Sequence, residues 1–249
     1  RVRSGAMTVG FVGYTTAGKS SLFQHLSGKT VLVEDQLFST LETTVGRMEK
    51  SPRILLADTI GFIDNIPNAT LAAFKATIAE AIDADLTLIL VDTSDPLDEV
   101  RRKLETTRRE VLERQEHEPE ALEEGRPPQV VLTKIDATTA EQQQAASDLV
   151  VSHGFPTPVA VSSMTGEGVD ELQRFIREQL FGAPVQVHVH PPSAASPDAT
   201  ERIVSSVYDQ GMVEVDERSE QGSAVLKVWI TAACQAQLQS RWGARIDIK

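Results

Sequence analysis

Three features that assign many chains to a class are missing here: cysteine pairs, long apolar runs and a basic charge balance. Cys234 is the single cysteine, so no intrachain disulfide can form and a reducing compartment is expected. No apolar run reaches about 18 residues, and Arg1–Ala6 is too short and polar for a signal peptide. With 24 basic against 36 acidic residues, the net charge of −12 argues against a general electrostatic grip on nucleic acid. We therefore expect a cytoplasmic chain with no membrane span and no DNA partner.

A glycine-rich stretch, Gly13–Ser20, fits the phosphate-loop pattern G-x-x-x-x-G-K-[ST]. It follows a short apolar run, Thr8–Val12, typical of a buried strand, and leads into helical spacing over Ser20–Leu26. The glycines let backbone N–H groups turn toward phosphate oxygens, Lys19 can reach the β- and γ-phosphates, and the Ser20 hydroxyl can bind Mg²⁺. The predicted phosphate-binding residues are Gly13, Tyr14, Thr15, Thr16, Ala17, Gly18, Lys19, Ser20 and Ser21.

A second phosphate-sensing element, Asp58-Thr-Ile-Gly61, fits the D-x-x-G pattern at the end of a later strand. Its carboxylate would hold the metal through a water molecule, and the Gly61 N–H would contact the γ-phosphate. The next residue is Phe62, where Ras-like GTPases have a glutamine that positions the attacking water. Because a phenyl ring can neither orient nor activate water, we expect slow intrinsic hydrolysis.

Base recognition is predicted at Thr133-Lys134-Ile135-Asp136, which fits the [NT]-K-x-D pattern. One carboxylate, Asp136, can accept both the N1–H and the exocyclic amine of guanine, a donor pair that adenine lacks. The Lys134 stem can cover the base or stack on the loop. After the next strand come Ser162, Ser163 and Met164, where a backbone N–H could reach the guanine O6.

Strands alternate with helical spacings over the first two thirds of the chain, which is typical of a mostly parallel sheet covered on both faces. After Gly182 the pattern becomes an alternating strand, then a helix, a hairpin and another helix. We predict an α/β P-loop GTPase fold over residues 1–182 and a small α+β domain over residues 183–249. The acidic stretch 116–128 is interpreted as a solvated insertion.

The chain resembles the HflX family of translational GTPases. Gly13–Phe23 is similar to that family's P-loop, Asp35–Thr44 to its switch I, and Asp58–Ile63 to its switch II. The segment Val91–Pro96 is also similar, and the resemblance covers about Val9 to Leu180, with weaker similarity from Val185 onward. From the residues alone, Thr40, Thr43 and Thr44 are all candidates for the switch hydroxyl that completes Mg²⁺ coordination.

The resemblance implies a Mg²⁺-dependent GTPase that binds the large ribosomal subunit and separates or rescues stalled ribosomes. It places the metal threonine at Thr40, with Ser20 and Asp58 as the other metal residues, and it implies a hydrophobic residue at the position of Phe62. Phe38, in switch I, is expected to contact the nucleotide. The residues expected to support hydrolysis are Lys19, Thr40 and Gly61.

Two departures from the family pattern matter. Thr16 stands where the family P-loop usually has an asparagine that helps to hold an activating K⁺. A threonine hydroxyl is a shorter and poorer ligand, which puts potassium dependence in doubt. Family members also carry a domain ahead of the P-loop, so a chain that starts at Arg1 is expected to be a fragment.

Two other functions fit the same motifs. One is a nucleotide-gated interaction module with negligible hydrolysis, and the other is a related GTPase in RNA modification or membrane-protein biogenesis. The remaining candidates are weaker: His188 and His190 lack a third zinc ligand nearby, and Cys234 is interpreted as a packing residue. The arginines of the charged helix after Pro96 are interpreted as a solvated face.

Overall fold

The computed structural model of the chain describes residues 6–28, 44–50, 52–58, 84–117, 127–191 and 198–249, with side chains up to residue 109 in the fourth range. Several predictions lie outside the described residues: Phe38, Thr40, Thr43, Gly61, Phe62 and most of the acidic stretch 116–128.

The chain divides into two compact units. One comprises Arg1–Met48 and Ile54–Ile176, and the other comprises Glu49–Arg53 and Arg177–Lys249. The boundary after residue 182 stays a prediction from the sequence.

The first unit is built on a six-stranded sheet with the order β2-β3-β1-β4-β5-β6. β1 pairs in parallel with β3 and β4, β4 with β5, and β5 with β6. The strands are β1 (Met7–Gly13), β2 (Thr44–Glu49), β3 (Ile54–Asp58), β4 (Leu86–Asp92), β5 (Gln129–Thr133) and β6 (Val159–Ala160). The helices are α1 (Lys19–Ser27), α2 (Leu97–His117), α3 (Ala140–Ser152) and α4 (Val169–Phe181), with a 3₁₀ turn at Ile135–Ala137. The residues of α4 from Arg177 onward are assigned to the second unit.

Strands β3, β4 and β5 are buried along their whole length and are mostly apolar, as expected for parallel strands covered on both faces. Val100 and Leu104 of α2 pack with Leu149 and Val150 of α3 against buried residues of β4 and β5. Phe23 of α1 meets Phe11 of β1 edge to face, with ring centroids 6.3 Å apart. This packing fixes the carboxyl ends of the parallel strands at one edge of the sheet, where ligands bind in open α/β folds.

The second unit has a four-stranded sheet with the order β10-β7-β9-β8, whose pairs are antiparallel. Its strands are β7 (Val185–Val189), β8 (Met212–Arg218), β9 (Ala224–Trp229) and β10 (Ile246–Ile248), and its helices are α5 (Ala199–Gln210) and α6 (Ala232–Trp242). A core cluster joins Val187 and Val189 of β7 to Ile203 of α5, Leu226 of β9 and Leu238 of α6.

The predicted fold class is therefore confirmed: a mostly parallel α/β unit precedes a small unit with an antiparallel sheet. β10 was not predicted, because three residues are too few to show a period and the strand exists through its pairing with β7. β8 continues to Arg218 through the charged residues Asp216, Glu217 and Arg218. Charged residues are common on an edge strand, so the charges did not end it.

Candidate functional site

The loop after β1 has the backbone shape that its glycines permit. Gly13 has φ +153°, and a Cβ atom there would lie 2.6 Å from the backbone oxygen of Leu90, so no larger residue fits. Gly18 has φ +77° and is the N-cap of α1, and no side chain among the described residues caps the helix start there. The first N–H groups of α1 are thus left for an anion, as at other phosphate-binding helix starts.

Lys19 lies inside this loop with only 3% of its surface exposed. Its ammonium group donates a hydrogen bond to the backbone oxygen of Tyr14 at 2.9 Å. Burial lowers the pKa of Lys19 from 10.5 to about 8, and the negative charge of Asp58 partly opposes this shift. Anionic phosphate oxygens near this ammonium would raise its pKa again, because an opposite charge favours the protonated form.

Ser20 and Asp58 come together although they are far apart in sequence. The Ser20 hydroxyl donates to Asp58 Oδ2 at 2.8 Å, joining the start of α1 to the end of β3. A hydroxyl and a carboxylate are hard oxygen ligands of the kind that Mg²⁺ prefers beside phosphates, so the residues present fit this metal. No cluster of three or more His, Cys, Asp or Glu side chains suited to a metal occurs in the described ranges.

Thr133, at the end of β5, ties the base loop to the phosphate loop. Its hydroxyl is 2.9 Å from the backbone oxygen of Ala17 and 3.2 Å from that of Val91. Lys134 follows with φ +59°, and it is the one non-glycine residue of the described ranges with a positive φ. Its ammonium donates to Asp92 Oδ2 at 2.5 Å. Backbone strain of this kind persists at sites where the surrounding structure enforces it.

Asp136 is held by the loop that follows β6. The fully buried Ser162 donates its hydroxyl to Asp136 Oδ1 at 2.5 Å. The same hydroxyl oxygen accepts hydrogen bonds from the backbone N–H groups of Met164 at 3.2 Å and Thr165 at 3.1 Å. One side chain therefore positions both the carboxylate predicted to read guanine and the loop predicted to reach its O6.

The remaining residues predicted to bind the nucleotide differ in how exposed their side chains are. Tyr14 and Ala17 are buried, whereas the side chains of Thr15, Thr16 and Ser21 are exposed on the loop surface. Met164 is 86% exposed, and the Ser163 carbonyl lies 3.3 Å from the Nδ1 atom of His25. Thr44, one of the switch candidates, is exposed at the start of β2.

Sequence reasoning missed Asp92, which ends β4 between β1, the strand that leads into the phosphate loop, and β5, the strand that carries Thr133. The sequence pattern indicated this residue, because an acidic residue at the carboxyl end of a buried parallel strand lies at the edge of the sheet where ligands bind. It also missed the contact of Tyr14 with α2: the Lys103 ammonium lies 5.3 Å from the centre of the Tyr14 ring and pairs with Asp95 at 2.7 Å.

No helix in the described ranges combines the length and apolar character needed to cross a bilayer.

Among solved structures, a GTP-binding protein from the archaeon Sulfolobus solfataricus in complex with GDP has a TM-score of 0.52 and 24% identity to this chain. The match covers 70% of this chain and 52% of that one, and it supports the fold.

Two family models match the chain: residues 8–134 match that of the 50S ribosome-binding GTPases, and residues 150–248 that of the HflX C-terminal domain. GTPase HflX of Gluconacetobacter diazotrophicus is 36% identical over 98% of this chain, and that of Escherichia coli is 32% identical over 99% of it. The chain spans about half the length of these relatives, 50% and 54% respectively. It belongs to the HflX family of GTPases.

Proposed function

We propose that this chain is a Mg²⁺-dependent GTPase switch that acts on the large ribosomal subunit and hydrolyses GTP slowly. The observation that carries the proposal is the convergence of a phosphate loop, an acidic strand end and a guanine-type loop at one sheet edge. Two hydrogen bonds support it: one between Ser20 and Asp58 at the proposed metal site, and one between Ser162 and Asp136 at the proposed base site.

Different residues would bind the phosphates and the metal ion. Lys19 and the start of α1 would bind the phosphates, because a buried ammonium and uncapped N–H groups are strong anion partners. Ser20 and Asp58 would hold Mg²⁺, with Thr40 proposed as the switch ligand, and Gly61 would sense the γ-phosphate. When bound, the metal neutralises charge that develops on the phosphate oxygens.

Guanine selection would rest on Asp136. Its Oδ1 is oriented by Ser162, so the carboxylate has a fixed direction before any nucleotide binds. A preorganised acceptor pair favours guanine, which offers two adjacent donors, and leaves a carboxylate unpaired against adenine.

Slow turnover follows from Phe62, which cannot orient water as the glutamine of Ras-like GTPases does. The same residue favours a second candidate, a nucleotide-gated interaction module with negligible hydrolysis. Single-turnover hydrolysis with and without ribosomes separates the two, since absence of turnover under both conditions favours the module.

The ribosomal partner is proposed from the family, whose GTPase model is that of the 50S ribosome-binding GTPases. A ribosomal role would also place the protein in the cytoplasm. The test is co-sedimentation with 50S-type subunits in the GTP-analogue, GDP and nucleotide-free states, with a chain extended upstream. We expect more binding with the GTP analogue, and equal binding in all three states would contradict a switch.

A further inference from the structure

Asp92 is a buried carboxylate, 4% exposed, for which the proposed chemistry has no role yet. Its Oδ2 atom accepts a hydrogen bond from the Lys134 ammonium at 2.5 Å. Its Oδ1 atom accepts bonds from the backbone N–H of Ser94 at 2.9 Å and from the Ser94 hydroxyl at 2.5 Å. Both oxygens of the Asp92 carboxylate therefore accept hydrogen bonds, which hold the carboxylate in one orientation.

The charge state of Asp92 suits this arrangement. Burial alone would raise the pKa of the Asp92 carboxyl, but the hydrogen bonds from Lys134 and Ser94 bring it below its ordinary value. The carboxylate is thus ionised at neutral pH and attracts the ammonium as a full negative charge.

Lys134 depends on this partner for its direction. The lysine side chain is 41% exposed, so burial does not hold it, and a long exposed side chain samples many rotamers. Its backbone is already fixed by the positive φ of 59°. The ion pair with Asp92 restricts the rotamers of the Lys134 side chain by holding its ammonium group in place.

The segment around Asp92 is secured independently of that ion pair. The backbone N–H of Thr93 donates to the Thr133 carbonyl at 3.1 Å, and the Thr93 hydroxyl donates to the same oxygen at 2.7 Å. Removing the Asp92 charge should therefore release Lys134 without separating the two loops.

We propose that Asp92 is a positioning residue of the guanine site: it anchors the Lys134 ammonium so that the lysine stem lies over the base. This inference rests on the proposed binding of guanine nucleotides. Asp92 would act on affinity through Lys134, whereas Asp136 would read the edge of the base.

The test is a double-mutant cycle of Asp92→Asn and Lys134→Ala, with affinities for fluorescent GDP and for inosine diphosphate, which lacks the exocyclic amine. Asp92→Asn should weaken both affinities about tenfold, in keeping with the loss of one charged hydrogen bond, and leave their ratio unchanged. In the Lys134→Ala background it should have no further effect. The matched control is Asp148→Asn, the same change at an exposed carboxylate of α3.

Two results would overturn the inference while leaving the proposed function intact: GDP affinity of Asp92→Asn equal to wild type, or an equal loss with and without Lys134. The second would show a structural role through Ser94. A wild-type chain that binds no guanine nucleotide would instead refute the proposed function, and this inference with it. If Asp92→Asn folds poorly, Lys134→Met keeps the stem without the ammonium and should show the same tenfold loss, while wild-type affinity in that variant would refute the anchor.

Discussion

Removing the Ser162 hydroxyl tests how the guanine loop is built. Ser162→Ala deletes three hydrogen bonds at once, one to Asp136 Oδ1 and two from the N–H groups of Met164 and Thr165. The backbone bonds of Ser162 to Glu167 and Gly166, both at 2.9 Å, are untouched, so the loop should stay closed.

The magnitude follows from where these groups lie. A hydrogen bond to a charged group contributes about 1.5–3 kcal/mol, but Asp136 and Met164 are exposed and water can replace part of the loss. We therefore expect a decrease of about 1–2 kcal/mol in the free energy of unfolding. Freeing the Asp136 carboxylate should cost about tenfold in GDP affinity, because its orientation must then be fixed on binding.

The assay is urea unfolding of the nucleotide-free protein together with titration of fluorescent GDP. Ser163→Ala is the matched control, since the neighbouring serine contributes its backbone carbonyl to the contact with His25. We expect that control to behave like wild type. If Ser162→Ala and Ser163→Ala have the same GDP affinity, the idea that the Ser162 hydroxyl orients Asp136 is refuted.

Two further predictions concern charge and backbone. Because the Lys19 pKa of about 8 lies below that of the unfolded chain, near 10.5, unfolding binds protons between these pH values and the stability of the nucleotide-free protein should rise across that window. Lys19→Met should remove this component, worth up to about 3 kcal/mol, in pH-dependent urea unfolding, and identical pH profiles would contradict it. Gly168→Ala would place a Cβ 2.0 Å from the Ala160 oxygen at φ +73°, whereas Gly154→Ala has φ +85° and open space. The first should lose about 3 kcal/mol or more and the second about 1 kcal/mol in denaturant unfolding, and equal losses would contradict the clash.

Local patterns predicted the parts of the site that lie within one stretch of sequence. The pattern of Gly13–Ser20 lies between a short apolar run and a helical spacing, so strand, loop and helix are predicted together. The apolar run of β4 is long enough to identify a buried strand. Each of these elements is specified by neighbours within a few residues, so sequence alone suffices.

The contacts that complete the site are nonlocal and could not be predicted in this way. Lys134 and Asp92 are 42 residues apart, and Ser162 and Asp136 are 26 apart. Each pair meets because parallel strands bring their carboxyl ends to one edge, and the side-chain partners there depend on the loop geometry. The buried hydroxyl of Ser162 carried no signal, since a serine after a short strand is common in any loop.

The central claim, guanine selection by Asp136, is tested most directly by comparing GDP and xanthosine diphosphate binding to wild type and to Asp136→Asn. Xanthine has a carbonyl oxygen where guanine has its amine, so an asparagine amide can donate where the aspartate accepted. We predict that wild type prefers GDP, and that Asp136→Asn binds GDP about a hundredfold more weakly and prefers xanthosine diphosphate. An Asp136→Asn variant that keeps its preference for GDP would contradict the account.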